Sequence, residues 1–380
     1  MITTPITLAY IRSAADLEQT ERGIRPHRLP VWVREQFPDP QLLGVESQPS
    51  GVRLVFLTAA TTVELVSHAT RTTYVGAQRP RGRYDVYVDG DLLVRDVLDG
   101  GDAMVVDLTT GATAYEPGPS HTTSVQLPEG THHVEIWLPH NESVELVALR
   151  SDAPVLPESA RGRLWLHHGS SISQGSNAIA PSETWPAIAA RRGGAELRNL
   201  GFGGSAFVDP FMARVMRDSP ADVISVKLGI NVVNLDAMRL RAFVPAVNGF
   251  LDTVRDGHPE TPVLVVSPVF AGIHEDTPGP GAIDPSSIAT GAVRFIATGT
   301  PGDTAQGRLT LRVIRDALHE VVERRADDAN LHYLDGTELY GPADAEAHPL
   351  LDGLHPGGDA HRLIGERFAD RAFAPGAPFA

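Results

Sequence analysis

From Val52 to about Arg150 the apolar positions fall in short runs, several with clear alternation. They are Val52-Arg53-Leu54-Val55-Phe56-Leu57, Thr62-Val63-Glu64-Leu65-Val66, Tyr84-Asp85-Val86-Tyr87-Val88-Asp89-Gly90, His132-His133-Val134-Glu135-Ile136-Trp137-Leu138 and Val144-Glu145-Leu146-Val147-Ala148-Leu149. A period of two sends neighbouring side chains to opposite faces, so each run reads as a half-buried strand. No helical period separates them. Many short strands hide their apolar faces most simply against each other, which predicts an antiparallel, jelly-roll-like β-sandwich. Asp89-Gly90, followed by Asp91, marks a hairpin turn between two of these strands. The prolines and lost periodicity of 151–159 read as a linker, dividing the chain into a β-module at 1–158 and a second domain at 159–380.

Beyond the linker the pattern changes to apolar runs alternating with helix-length segments, the mark of parallel βαβ units. Leu164-Trp165-Leu166, Glu196 to Leu200, Val223 to Leu228, Val263 to Ser267 and Leu331 to Leu334 read as strands; Thr184 to Arg192, Arg241 to Asp256 and Thr310 to Arg325 read as helices. In the last of these Leu311, Ile314, Leu318, Val321 and Val322 share one face. A three-layer α/β/α domain follows. Its ligands should bind where the loops leave the carboxyl ends of the strands. The long aperiodic stretch 270–307 leaves that edge and is expected to cover the site and shape its pocket.

Composition narrows the chemistry. With 32 basic and 47 acidic residues the formal charge is −15, which disfavours nucleic acid and anionic lipid as partners. The absence of cysteine removes disulfides, thiolate nucleophiles and thiolate metal sites. No run approaches membrane-span length, and the first residues lack the pattern of a secretory leader, so a cytoplasmic protein is expected.

The small and polar residues after each strand then carry the argument: Ser171; Asn199 to Ser205; Gly229-Ile230-Asn231; and Asp352-Gly353-Leu354-His355. A serine hydroxyl becomes a nucleophile when a histidine removes its proton and a carboxylate orients that histidine. Ser171, His355 and Asp352 can fill those roles. A tetrahedral oxyanion needs donors fixed in advance, and the Ser171 amide, Gly204 and Asn231 can supply them.

In this order and context the four blocks resemble those of the SGNH hydrolases, or GDSL esterases. Gly169-Ser170-Ser171-Ile172-Ser173 is similar to Gly-Asp-Ser-Ile-Thr, Asn199 to Gly204 to the second block, Gly229-Ile230-Asn231 to Gly-x-Asn-Asp, and Asp352 to His355 to Asp-x-x-His. The resemblance covers roughly 161–370. It implies a flavodoxin-like parallel sheet, catalytic Ser171, Asp352 and His355, and an oxyanion hole of Ser171, Gly204 and Asn231, with neither cofactor nor metal. Two positions depart from it: Ser170 replaces an aspartate outside the triad, and Val232 replaces one that would help orient the Asn231 loop. The front β-module, with its Tyr84 to Gly90 strand, resembles the two-domain bacterial branch that includes carbohydrate acetyl esterases. That resemblance implies a serine esterase acting on short, acetyl-like esters of a carbohydrate or small-molecule alcohol, with a homo-oligomer left open. An acyltransferase using the same serine and a catalytically silent carbohydrate-binding protein are the rivals.

Other constellations are read more plainly. His132 and His133, adjacent in a strand, face opposite ways and are poorly placed to share a metal. Asp352, His355 and Asp359 could ligate a metal, but that leaves Ser171, Gly204 and Asn231 without a role. His167 and His168 read as strand-end histidines, either of which could border the pocket. Gly201-Phe202-Gly203-Gly204 lacks the following lysine of a phosphate loop and the dinucleotide spacing.

Overall fold

The computed structural model describes residues 1–76, 79–107, 109–159, 162–288 and 293–380. The chain divides into two compact units, Met1–Arg161 with Ala180–Ser182, and Gly162–Ile179 with Glu183–Ala380.

The first unit holds an eight-stranded and a six-stranded sheet. Leu54, Phe56, Tyr84, Val86, Val134 and Ile136 from the smaller sheet share one buried cluster with Val63, Leu65, Leu146 and Leu149 from the larger. The Tyr84 hydroxyl donates to Ser67 Oγ between the sheets at 2.7 Å. This is a sandwich, as the alternation implies, with one difference: Thr62–Tyr74 pairs parallel with Asp102–Val106 in an otherwise antiparallel sheet. Strands also begin earlier than the hydrophobic pattern indicates, at Ile2–Thr4, Ile11–Arg12, Asp16–Gln19 and Ile24–His27. Part of the stretch read as linker is a strand, Val155–Pro157, at the edge of the smaller sheet, where a proline removes no ladder donor that the sheet needs. Asp89 and Gly90 form the expected turn, both at positive φ. His132 and His133 are engaged separately, Nδ1 of the first with Asp89 at 2.6 Å and Nδ1 of the second with Glu158 at 2.7 Å. Ser182 donates its hydroxyl to the buried Asp85, which Arg95 also holds.

The second unit is a five-stranded parallel sheet of β1 (Arg163–Gly169), β2 (Ala195–Gly201), β3 (Val223–Lys227), β4 (Val263–Val266) and β5 (Leu331–Leu334), in the order β2-β1-β3-β4-β5. The principal helices are α1 (Ser171–Gln174), α2 (Trp185–Gly193), α3 (Pro210–Arg217), α4 (Ile230–Asn234), α5 (Leu240–Gly257), α6 (Leu311–Glu323) and α7 (Gly358–Ala372). Parallel pairing requires a crossover between strands, and the helices lie on both faces. The rings of β1 show this directly: His167 lies 4.8 Å from Trp185 of α2, whereas its neighbour His168 stacks 6.1 Å from Phe250 of α5. Trp165, Trp185 and Phe368 form an aromatic core on the α2 and α7 side, with Trp165 and Phe368 centroids 5.0 Å apart. Rings of this size supply much of the burial energy, about 25 cal/mol per Å² of apolar area. β1, β3 and β4 are buried through most of their length because both faces are covered. No helix among the described residues is long and apolar enough to cross a membrane.

Candidate functional site

β1 ends at Gly169 and the chain turns at once into α1, with Ser170 as N-cap, its hydroxyl accepting from Ile172 N–H at 3.4 Å. Ser171 is therefore the first helical residue, and its N–H belongs to the turn of donors that has no intrahelical partner. It sits at the carboxyl edge of β1, an interior strand of the sheet, 8 % exposed. Hydrogen bonds from below fix the turn: Ser173 Oγ meets His167 Nε2 at 2.8 Å, Asn199 Nδ2 donates to Ser173 O at 2.9 Å, and Gly203 N–H donates to Gln174 Oε1 at 2.7 Å.

His355 arrives from the loop before α7. Its Nε2 lies 2.9 Å from Ser171 Oγ and its Nδ1 lies 2.8 Å from Asp352 Oδ2. A carboxylate only accepts, so Nδ1 carries the proton and Nε2 presents its lone pair to the serine hydroxyl. The Asp352 carboxylate also accepts N–H bonds from Leu354 at 2.9 Å and His355 at 2.7 Å, and the Asn177 amide at 3.0 Å. Burial pushes its pKa up, but the His355 hydrogen bond and charge, with the backbone donors, outweigh that and leave it below the ordinary value. The acid therefore stays ionised at neutral pH.

The three candidate oxyanion donors occupy linked loops. Gly204 has φ +67, a conformation glycine adopts without the Cβ penalty. Asn231, in the first turn of α4, is 3 % exposed, and its Oδ1 accepts the Ala206 N–H at 3.1 Å. That bond orients the amide and leaves its NH₂ as a donor. Among the described residues neither Gly204 N–H nor Asn231 Nδ2 donates to a protein group.

The remaining candidates separate from this group. His167 and His168 are wholly buried, and burial lowers both, His168 to about 4. His167 bridges Ser225 and Ser173, and His168 Nδ1 donates to Leu200 O at 2.8 Å, so both support β1 from within the sheet. Asp359 lies in the first turn of α7, and no ion pair joins it to His355 among the described residues.

Two neighbours of the site escaped the sequence reading. Asn177 carries no motif signal, since its role arises from a turn that only the fold specifies. Phe295, in the 270–307 stretch, lies edge-on to His355 with centroids 5.4 Å apart, and its N–H donates to Asp352 O at 2.7 Å. That stretch has structure of its own, including a hairpin of Gly281–Ile283 with Phe295–Ala297; its residues 289–292 lie outside the described set.

A parallel α/β domain that brings a serine hydroxyl, an imidazole and a carboxylate into line at one sheet edge has the form of a carboxylic ester hydrolase, and this chain is one. The sequence pattern of the GDSL-like Lipase/Acylhydrolase family matches residues 168–363, over half of the chain, and the chain belongs to that family. Residues 8–146 match the N-terminal domain of SsfX3. The solved structure of Salicylyl-Acyltransferase SsfX3 from a tetracycline biosynthetic pathway is similar over 94% of this chain and 92% of that one, with 26% identity and a TM-score of 0.77. A putative GDSL-like lipase from Bacteroides ovatus is 18% identical over 94% and 93% of the two chains with a TM-score of 0.65. A family two carbohydrate esterase from Clostridium thermocellum is 16% identical over 84% and 90%, with a TM-score of 0.55; both share the fold. No curated protein matches the chain.

Proposed function

We propose that the protein is a serine esterase that releases a short acyl group, most simply acetate, from a carbohydrate or small-molecule alcohol, with 159–380 as its catalytic domain. His355 Nε2 takes the proton from Ser171 Oγ as that oxygen attacks the ester carbonyl. Asp352 stabilises the imidazolium. The oxyanion is held by the Ser171 and Gly204 N–H groups and the Asn231 amide, each donor worth on the order of 10²–10³ in turnover. The imidazolium gives its proton to the departing alcohol, and water, activated by the same nitrogen, then releases the acid and restores the serine. The observation that carries this reading is the unbroken Ser171–His355–Asp352 relay, at 2.9 and 2.8 Å.

Residues near the relay bear on the alcohol. Among the described residues, the large exposed aliphatic residues of the second unit are Ile179, Leu235, Leu240, Ile296 and Leu351, each between a strand of the parallel sheet and the main helix that follows it or, for Leu240, at that helix's first residue, where the chain leaves the carboxyl edge. This favours an alcohol with an apolar face. The 270–307 stretch, through Phe295, would form one wall of the pocket. A short-chain nitrophenyl ester assay on wild type and Ser171→Ala tests the chemistry: a loss of at least roughly several hundredfold is expected, and equal rates would refute it. Acetylated oligosaccharides compared with acetates of apolar alcohols then sort the substrates.

The likeness to the salicylyl-acyltransferase along nearly the whole chain favours a second reading, in which an acceptor hydroxyl or amine replaces water. Product analysis with and without an acceptor separates the two. Hydrolysis at full rate without acceptor, and no acylated acceptor when one is added, excludes transfer.

A further inference from the structure

The Asp352 carboxylate has a donor at each of its acceptor positions. Oδ1 accepts the N–H groups of Leu354 at 2.9 Å and His355 at 2.7 Å; Oδ2 accepts His355 Nδ1–H at 2.8 Å and Asn177 Nδ2–H at 3.0 Å. An ionised carboxylate offers about four lone-pair sites, so the set is complete. Three of these donors come from the carboxylate's own loop. Asn177 comes from the segment that carries the nucleophile.

That segment delivers the amide with little freedom. Gly175 and Ser176 N–H both donate to Ser171 O at 2.9 Å, and Ala178 N–H donates to Gly175 O at 2.9 Å. Ser176 O accepts His361 Nε2–H of α7 at 2.9 Å. Between them Asn177 adopts φ +65, a left-handed conformation that asparagine and aspartate tolerate better than most residues. The two backbone donors pin only Oδ1. A second donor on Oδ2, besides the imidazole, fixes the plane of the carboxylate.

We propose that Asn177 is a positioning residue for acyl transfer: its NH₂ holds the Asp352 carboxylate in plane, with one lone pair aimed at His355 Nδ1. The proposal rests on the reading of Ser171, His355 and Asp352 as the reacting relay. It also joins the two loops of that relay directly, so that nucleophile and acid move together.

Two variants test it, with kcat and KM for a short-chain nitrophenyl ester measured from about pH 5 to pH 9, spanning the carboxylate and imidazole ranges. Asn177→Asp keeps the shape and tolerates the backbone conformation, but at neutral pH it replaces the donor by a second anion. Asn177→Gly relieves the backbone and removes the amide. Both should lose roughly 10- to 100-fold in kcat at neutral pH, the range for one charge-assisted hydrogen bond, with KM changed by less than about twofold. Two carboxylates this close share a proton on acidification, and the protonated one donates again. The ratio of Asn177→Asp to wild-type kcat should therefore rise as the pH falls, whereas the ratio for Asn177→Gly should stay flat. Wild-type kcat in Asn177→Asp at neutral pH, or a pH-independent ratio for that variant, overturns the proposal. Ser171→Ala run alongside keeps the two readings apart: activity in that variant removes the relay itself, while an inactive Ser171→Ala beside a fully active Asn177→Asp removes only the role of Asn177.

Discussion

Replacing Asp352 by asparagine preserves the shape of the side chain and removes half of its acceptor capacity. Four donors now meet the carboxylate. A carboxamide has one oxygen, which the Leu354 and His355 N–H groups would retain, so its NH₂ would face His355 Nδ1 and the Asn177 amide, donor against donor. The imidazole escapes by moving its proton to Nε2. That nitrogen is 2.9 Å from Ser171 Oγ, and once protonated it can donate to the hydroxyl but no longer take its proton. Two charge-assisted bonds at about 1.5–3 kcal/mol each amount to about 3–6 kcal/mol, or roughly 10²–10⁴ in rate. The tautomer trap places the expectation at the upper end, about 10⁴ in kcat with little change in KM. The assay is steady-state turnover of a short-chain nitrophenyl ester from about pH 6 to pH 9, bracketing the imidazole range. A variant within tenfold of wild-type kcat throughout would refute the reasoning.

Three further changes probe the scaffold. Lys227, the one lysine of the sequence, is 2 % exposed at the end of β3, and burial, with the charge of Arg315, lowers its ammonium to about 8. Its folded pKa lies below the unfolded one, so the unfolded chain binds more protons between them, stability rises with pH across that window, and the penalty is complete below it. Lys227→Met should therefore raise the unfolding free energy from urea denaturation at pH 7 by up to about 3 kcal/mol, with a smaller gain near pH 10, and a lower stability at pH 7 would contradict this. A Cβ at Gly279 would lie 1.8 Å from Val233 O, so Gly279→Ala should cost about 2 kcal/mol or more and reduce turnover by disturbing α4, both measurable on one preparation. Val232 is fully buried, so Val232→Asp, which restores the family's commoner residue, should lose at least about 3 kcal/mol in urea denaturation without gaining activity; unchanged stability would show a polar partner there.

The elements legible in the sequence were those whose own residues decide them. β1, β3, β4 and the helix at 311–323 announce themselves by runs or stripes that need only a covered face. α3 and α7 were missed. α3 is eight residues long and opens on a proline. In α7 the buried stripe of Ala360, His361, Ile364, Gly365 and Phe368 mixes glycine and histidine with apolar residues, because it packs closely on α2 and Ser176. In the first unit, the opening strands are too short and polar to show a period. At the site, Ser171, Asp352 and His355 could be named because their chemistry demands particular residue types after particular strands. Asn177 and Phe295 could not, since an amide bond to a carboxylate and an edge-on ring depend on where two remote loops meet.

The departure at Val232 and the long stretch 270–307 are two parts of one arrangement. An aspartate after Asn231 would orient its loop by hydrogen bonding. Here α4 buries Val232 and Val233 instead, and the Asn231 amide is aligned by the Ala206 N–H. What keeps α4 from shifting comes from the long stretch and the arginine just after it. Gly279 seats its backbone against Val233 O, Arg308 donates to Gly279 O at 3.0 Å, and the same guanidinium pairs with Asp236 just past α4 at 3.1 Å. Thr298 closes the turn by donating both its N–H and its hydroxyl to Pro280 O. Periodicity is absent from this stretch because its residues answer to α4 on one side and to His355, through Phe295, on the other. The same segment can therefore hold the amide that would face the oxyanion while bounding the His355 ring, which accounts for both its length and its lack of regular pattern.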